Sequence, residues 1–215
     1  QLSFIKDSME SLMNESCREF AADLASKRST PGGGGAAAFA GALGTALGEM
    51  VGNFTTGKKK YAAYEEDIQR LLAEGERIRL SLLALVDKDA AAFEPLSRAY
   101  GIPKEDPTRE AVLEQCTMDA LDAPLEMMRE TCKAIEMLEE LSIKGSRMLI
   151  SDVGCGAALC RAALESAALN VYINTKSLGD RTTAERIDDE CRQMLDRYCP
   201  LASQIVASVM KELQP

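Results

Sequence analysis

The 215 residues carry 25 Lys and Arg against 34 Asp and Glu, a net charge of −9, and include no histidine and no tryptophan. Without imidazole there is no Ser-His-Asp triad, no Cys-His pair and no histidine-ligated metal, so acid–base chemistry near neutral pH falls to carboxylates, Lys, Cys or Tyr. The acidic balance argues against nucleic acid or an anionic membrane as partner, and the length suffices to bury a core without metal or disulfide staples.

Residues 1–24 carry acids and bases throughout and lack the form of a signal peptide. The seven cysteines are odd in number, contain no C-x-x-C and sit in apolar, helical-looking sequence. Most of them read as small core residues in a reducing, cytoplasmic compartment, with no zinc site and no disulfide framework.

In chain order, alternating strand patterns are missing and three-and-four spacing is widespread. Pro31 to Gly35 forms the first break. Residues 35–56 are then almost wholly Ala, Gly, Leu, Met, Val, Phe and Thr, with Glu49 the only charge. Gly41, Gly44, Gly48 and Gly52 make a smooth face that another helix backbone can approach, and they weaken the case for a membrane span. After a break at Gly57, Tyr61, Tyr64, Ile68, Leu71, Gly75, Ile78, Leu82 and Leu85 predict one apolar stripe on a long helix. Tyr100 to Pro107 interrupts. Leu125, Met128, Cys132, Ile135, Leu138 and Leu141 repeat the stripe after a break near Pro124, and Lys144 to Ser146 ends it. Residues 153–173 form a second apolar run, interrupted by Arg161 and Glu165. Beyond Gly179 to Thr183, Ile187, Cys191, Met194 and Tyr198 lead to Leu201, Ile205, Val209 and Leu213, with Pro200 predicted to kink or interrupt the helix. The expectation is one all-α domain, residues 1–215, of six or seven helices, with two central Ala/Gly-rich helices buried on all sides.

Several local patterns carry chemistry and admit two readings each. Gly52 to Lys59 matches a phosphate loop except that Lys59 replaces the Mg²⁺-binding Ser or Thr and no strand precedes it. What remains is a helix end followed by Lys58, Lys59 and Lys60, either a solvated charge run or a patch for an anionic ligand. Asp152-Val153-Gly154-Cys155-Gly156 resembles an S-adenosylmethionine-binding turn if Met148 to Val153 is a strand, or a helix start capped by Ser151 or Asp152. The glycines at 32–35 are either a flexible linker or a place where backbone N–H groups meet a ligand at a helix N-terminus. Asp87 and Asp89 lie two apart and cannot share a helix face. If one points outward, the other can point inward, where desolvation raises its pKa toward a general base's, against the pull of Lys88 and the lysine patch.

Taken in order, six blocks resemble one family. They are Thr30-Pro31-Gly32-Gly33-Gly34-Gly35-Ala36-Ala37, Gly41 to Val51, Thr56-Gly57-Lys58-Lys59-Lys60-Tyr61, Val86 to Phe93, Ser151-Asp152-Val153-Gly154, and Asn170-Val171-Tyr172-Ile173-Asn174. Together they are similar to the cyclodeaminase/cyclohydrolase family of folate enzymes, over about residues 20–180. The resemblance implies an all-helical homodimer acting on tetrahydrofolate one-carbon units. Asp89 is implied as the catalytic carboxylate. Gly32, Gly33, Gly34, Lys58, Lys59, Lys60, Asp152, Asn170 and Asn174 are implied at the substrate site. The lysines suit a folate tail of one or several glutamates.

Two reactions are implied. One hydrolyses 5,10-methenyltetrahydrofolate to 10-formyltetrahydrofolate, with Asp89 taking a proton from the attacking water. The other closes 5-formimidoyltetrahydrofolate to the methenyl form, with Asp89 shuttling a proton so that ammonia leaves. Animal cyclodeaminases are fused to a formiminotransferase domain that these 215 residues do not hold, which puts hydrolysis first. Neither route calls for a metal or a cofactor beyond the folate substrate. The readings from other classes are a methyltransferase and a non-catalytic helical binding module.

Overall fold

A computed structural model describes residues 10–215; residues 1–9, the opening of the stretch read for a signal peptide, lie outside the described residues. Six α-helices carry the fold: α1 (Cys17–Ala25), α2 (Gly33–Thr55), α3 (Glu65–Ala99), α4 (Arg109–Lys144), α5 (Ile150–Thr175) and α6 (Arg181–Leu213). Among the described residues there is no strand, so Met148 to Val153 is not the strand a cofactor-binding turn would need. Ser151 and Asp152 lie inside the first turn of α5, whose N-cap is Leu149.

Local chemistry sets the boundaries. Ser16 and Glu19 form a reciprocal capping box that starts α1. The glycine run is the first turn of α2, not a linker. Gly57, at φ 75°, ends the chain's path out of α2 in the left-handed region. Tyr61 and Tyr64, expected on the long helix, instead lie in a 3-10 turn at Lys59–Tyr64 that precedes it. The rest of that stripe is as the spacing predicts: Ile68, Leu71, Gly75, Ile78, Leu82 and Leu85 are all buried.

The break expected near Pro124 does not occur, and Pro200 does not interrupt its helix. α4 runs through Pro124 and α6 runs through Pro200. Each proline removes one ladder bond at a local penalty of about 3 kcal/mol. Burial of Pro124 itself, and of Tyr198 and Ala202 on either side of Pro200, holds the helices continuous.

α2 packs against α3 on one side, α5 on the other and α4 behind; α5 in turn meets α4 and α6. The smooth face does what its spacing predicts. A Cβ on Gly44 would lie 2.8 Å from the Gly156 carbonyl oxygen, and one on Gly156 would lie 2.9 Å from that of Gly44. Pairings of Gly33 with Asn170 and of Gly44 with Gly156 make α2 and α5 antiparallel, and Gly34 with Asp89 and Gly52 with Leu72 make α2 and α3 antiparallel.

The expectation of burial on all sides needs correction. α2 leaves Leu43 and Phe54 exposed and Phe39, Leu47 and Met50 half-buried, all on one stripe. α5 leaves Cys155, Ala158, Ala162, Leu169 and Ile173 exposed. Leu169 and Ile173 keep 69% and 67% of their surface, far from core values. The helices are central, but the three helices that pack on each enclose only part of it.

Candidate active site

The antiparallel packing gathers part of the expected site at the N-terminal end of α2. There the backbone enters the helix at Gly32 with no side-chain cap, and the first bond of the turn runs from the Ala36 N–H to the Gly32 carbonyl, at 3.0 Å. The amides of the first turn therefore have no partner within the helix.

Asp89 comes to this turn from α3. A Cβ on Gly34 would stand 2.5 Å from Asp89 Oδ2, so only glycine lets the carboxyl group lie against the α2 backbone. Asn170 comes from α5 on the other flank, where a Cβ on Gly33 would lie 3.3 Å from its Nδ2. Burial pushes the Asp89 carboxyl up from 3.8 to about 6. Lys88 points to solvent and the lysine patch lies at the far end of α2, so desolvation prevails over the cationic pull expected from them.

The two asparagines have a defined polarity. Asn170 Nδ2 donates to the Ser166 carbonyl at 2.8 Å, and Asn174 Nδ2 donates to the Asn170 carbonyl at 2.9 Å. A backbone carbonyl accepts only, so each amide nitrogen spends one of its two N–H donors there, which fixes the flip and leaves the amide oxygen turned away as an acceptor. The end of α2 thus joins backbone donors, a desolvated carboxylate and amide acceptors, which suits addition of water or an amine to an electron-poor carbon.

Asp87 has a different task from Asp89. Its carboxylate accepts from Ser11 Oγ at 2.5 Å and from the Leu12 N–H at 2.7 Å. These contacts join residues 76 and 75 positions apart, which no local pattern signals.

Lys58, Lys59, Lys60 and Asp152 gather at the opposite end. Lys58 Nζ lies 3.5 Å from Ser146 Oγ, and the Ser146 N–H donates to Thr55 Oγ1 at 2.8 Å. Tyr61 accepts from the Arg147 N–H at 3.0 Å, which lowers the phenol's pKa, and Lys60 lies 5.6 Å from the Tyr61 ring centre. Lys59 and Lys60 are exposed, while Asp152 is half-buried in the first turn of α5. A helix of 23 residues separates the two ends by about 34 Å. Within one chain, Gly32 to Gly34, Asp89, Asn170 and Asn174 come together, whereas the lysines and Asp152 do not join them. The phosphate-loop look-alike is the last turn of α2 and its exit, with Gly52 packed against Leu72.

Among the described residues no group of three or more Cys, Asp or Glu side chains is arranged to hold a metal, and no described helix is long and apolar enough to cross a membrane.

An all-α bundle whose glycine-started central helix abuts a desolvated carboxylate defines a helical class of enzyme. The chain belongs to the formiminotransferase-cyclodeaminase family, whose sequence model matches residues 16–193. It is 39% identical to the methenyltetrahydrofolate cyclohydrolase of Methylorubrum extorquens, over 93% of this chain and 98% of that protein. It is 28% identical to mouse formimidoyltransferase-cyclodeaminase, matching 38% of that longer enzyme. The crystal structure of formiminotetrahydrofolate cyclodeaminase from Thermotoga maritima superposes with a TM-score of 0.82 at 30% identity, covering 93% of this chain and 99% of that one.

Proposed function

We propose that the chain acts as one catalytic unit of folate one-carbon metabolism and hydrolyses 5,10-methenyltetrahydrofolate to 10-formyltetrahydrofolate. The observation that carries this reading is the Asp89 carboxylate, half-buried against the first turn of α2 with its pKa raised by burial to about 6. The end-to-end similarity to a cyclohydrolase supports the choice of reaction.

In this reading water adds to the cationic methenyl carbon and Asp89 takes its proton, giving a neutral hydroxyl adduct. The bond from that carbon to N5 then breaks. Asp89 returns its proton to N5, and the adduct hydroxyl releases its own proton as it becomes the formyl oxygen. A carboxylate poised near pH 6 is basic enough to accept the first proton and acidic enough to deliver it.

The similarity to the Thermotoga cyclodeaminase supports a second reaction at the same atoms. N10 attacks the carbon of the protonated formimidoyl group (N5–CH=NH2+), Asp89 takes the N10 proton and delivers it to the departing amino nitrogen, and ammonia leaves while the positive charge stays on the methenyl product. Gly32, Gly33 and Gly34 would admit the substrate to the helix end, and Asn170 and Asn174 would accept from its N–H groups.

We further propose a cytoplasmic homodimer formed through the exposed stripe of α2 and α5. An antiparallel pair would set the lysine end of one chain beside the glycine end of its partner. Lys58, Lys59 and Lys60 would then meet the glutamate carboxylates of a folate tail whose pterin end lies at Asp89, with Asp152 on the rim.

The test follows the absorbance of 5,10-methenyltetrahydrofolate against its spontaneous hydrolysis. The native chain accelerates its loss, and Asp89→Asn abolishes the acceleration with the helical circular dichroism unchanged. Full turnover in Asp89→Asn would overturn the assignment. No acceleration by the native chain, with methenyl absorbance appearing from 5-formimidoyltetrahydrofolate, would select the second reaction.

A further inference from the structure

Two links tie the N-terminal segment to the two helices that meet at Asp89. The first is the Asp87 carboxylate on α3, which receives Ser11 Oγ and the Leu12 N–H. Ser11 Oγ also accepts from the Met13 N–H at 3.1 Å, capping a short 3-10 turn at Leu12–Asn14 whose Leu12 and Met13 pack on the core. The second is Phe20 of α1, buried, with its ring centre 5.4 Å from that of Phe39 on α2 at an interplanar angle of 59°. Phe39 stands five residues beyond Gly34, and Asp87 stands two residues before Asp89. Residues 11–20 therefore bridge α3, two residues before Asp89, and α2, at Phe39 about 7.5 Å along the helix from Gly34.

We propose that Asp87 is a positioning residue, which acts through Ser11 and Leu12 to clamp α2, gripped at Phe39, to α3 beside the Asp89 carboxylate. The physical need is specific. Asp89 has only a glycine-wide space against Gly34, and burial of its charge drives it outward toward water. Nothing in the α3 periodicity requires an acid at 87, and its two hydrogen bonds go to a segment distant in sequence. An ionised acceptor holds a backbone N–H and a hydroxyl more strongly than a neutral one, which suits a clamp with only two polar contacts. The proposal rests on the reading of Asp89 as the catalytic base.

The experiment compares Ser11→Ala, Asp87→Asn and the double variant in the methenyltetrahydrofolate assay, with amide exchange at Leu12 and Met13 as a readout independent of turnover. The clamp requires each single variant to lower kcat about tenfold, a loss of reach typical of a reacting group displaced by a fraction of an ångström, with KM changed less than twofold. It requires the double variant to be no worse than the weaker single one, because both break the same link. Exchange at Leu12 and Met13 should quicken in all three, with the melting temperature of the bundle nearly unchanged.

If Ser11→Ala is silent while Asp87→Asn shifts the acid limb of the pH profile, Asp87 acts directly by its charge and the clamp is overturned. Additive losses overturn it as well. Retained turnover in Asp89→Asn would instead remove the catalytic reading, and the exchange data would still report whether Asp87 holds the segment.

Discussion

Asp89 occupies a position that works against the stability of the chain. Its carboxyl is raised from 3.8 to about 6 by burial alone. As a base it must be ionised, so activity falls as pH drops through about 6, and kcat/KM should show an acid limb with that midpoint. The same shift sets a linkage. A raised folded-state pKa gives stability that is fully present below about 3.8 and lost as pH rises through about 6. At roughly 1.4 kcal/mol per pKa unit, the ionised group burdens the fold by about 3 kcal/mol above pH 6. Asp89→Asn should therefore be more stable than the native chain by up to about 3 kcal/mol at pH 8, with the difference shrinking toward zero below pH 4. Urea unfolding of both proteins across that range checks it, and equal stability at pH 8 would contradict the burial. At this scale the sequence was half legible. The two-residue spacing separates Asp87 from Asp89, but which of them turns inward depends on Gly34 of another helix. The partner of Asp87 is Ser11, 76 residues away, and no local pattern announces it.

Among the elements, the α2–α5 contact depends most on residue size. Gly44 and Gly156 let the two backbones touch, and Cys160 Sγ fills the space beside them. Gly44→Ala would set its methyl 2.8 Å from the Gly156 carbonyl oxygen, where backbone must move. Overpacking of this kind destabilises by about 1–3 kcal/mol. A fall of several degrees in melting temperature, measured by circular dichroism, is the expected outcome, and an unchanged value would mean that the two helices slide apart freely. The helices themselves were readable because burial repeats every three or four residues: Leu125, Met128, Cys132, Ile135, Leu138 and Leu141 are all buried. Pro124 did not break its helix, nor Pro200 interrupt its own, because a proline's penalty is local and fixed, whereas the packing that offsets it comes from other helices.

For the whole molecule, an isolated chain has an apolar surface left over. Phe54, Leu43, Leu169 and Ile173 are open to solvent on adjacent antiparallel helices. Composition marked α2 and α5 as helices to be covered, but the other described residues leave this stripe open. Charge on this stripe is the direct test of the proposed pair. Leu169→Glu should give a monomer in sedimentation equilibrium where the native chain gives a dimer, with the helical signal retained. A native chain that sediments as a monomer would remove the pairing and, with it, the route by which the lysines reach a folate at Asp89.

The glycine-lined α2 also constrains how such a chain can diverge. It is gripped along 23 residues by α3, α5 and α4 on three sides. Inserting or deleting one residue would turn everything beyond it by about 100° and shift it by about 1.5 Å. Gly34 would leave Asp89, or Gly44 would leave Gly156, depending on which end moved. Length changes are thus confined to the connections, such as Tyr100 to Thr108 between α3 and α4, while α2 can evolve only by substitution, and only toward side chains as small as those it already carries.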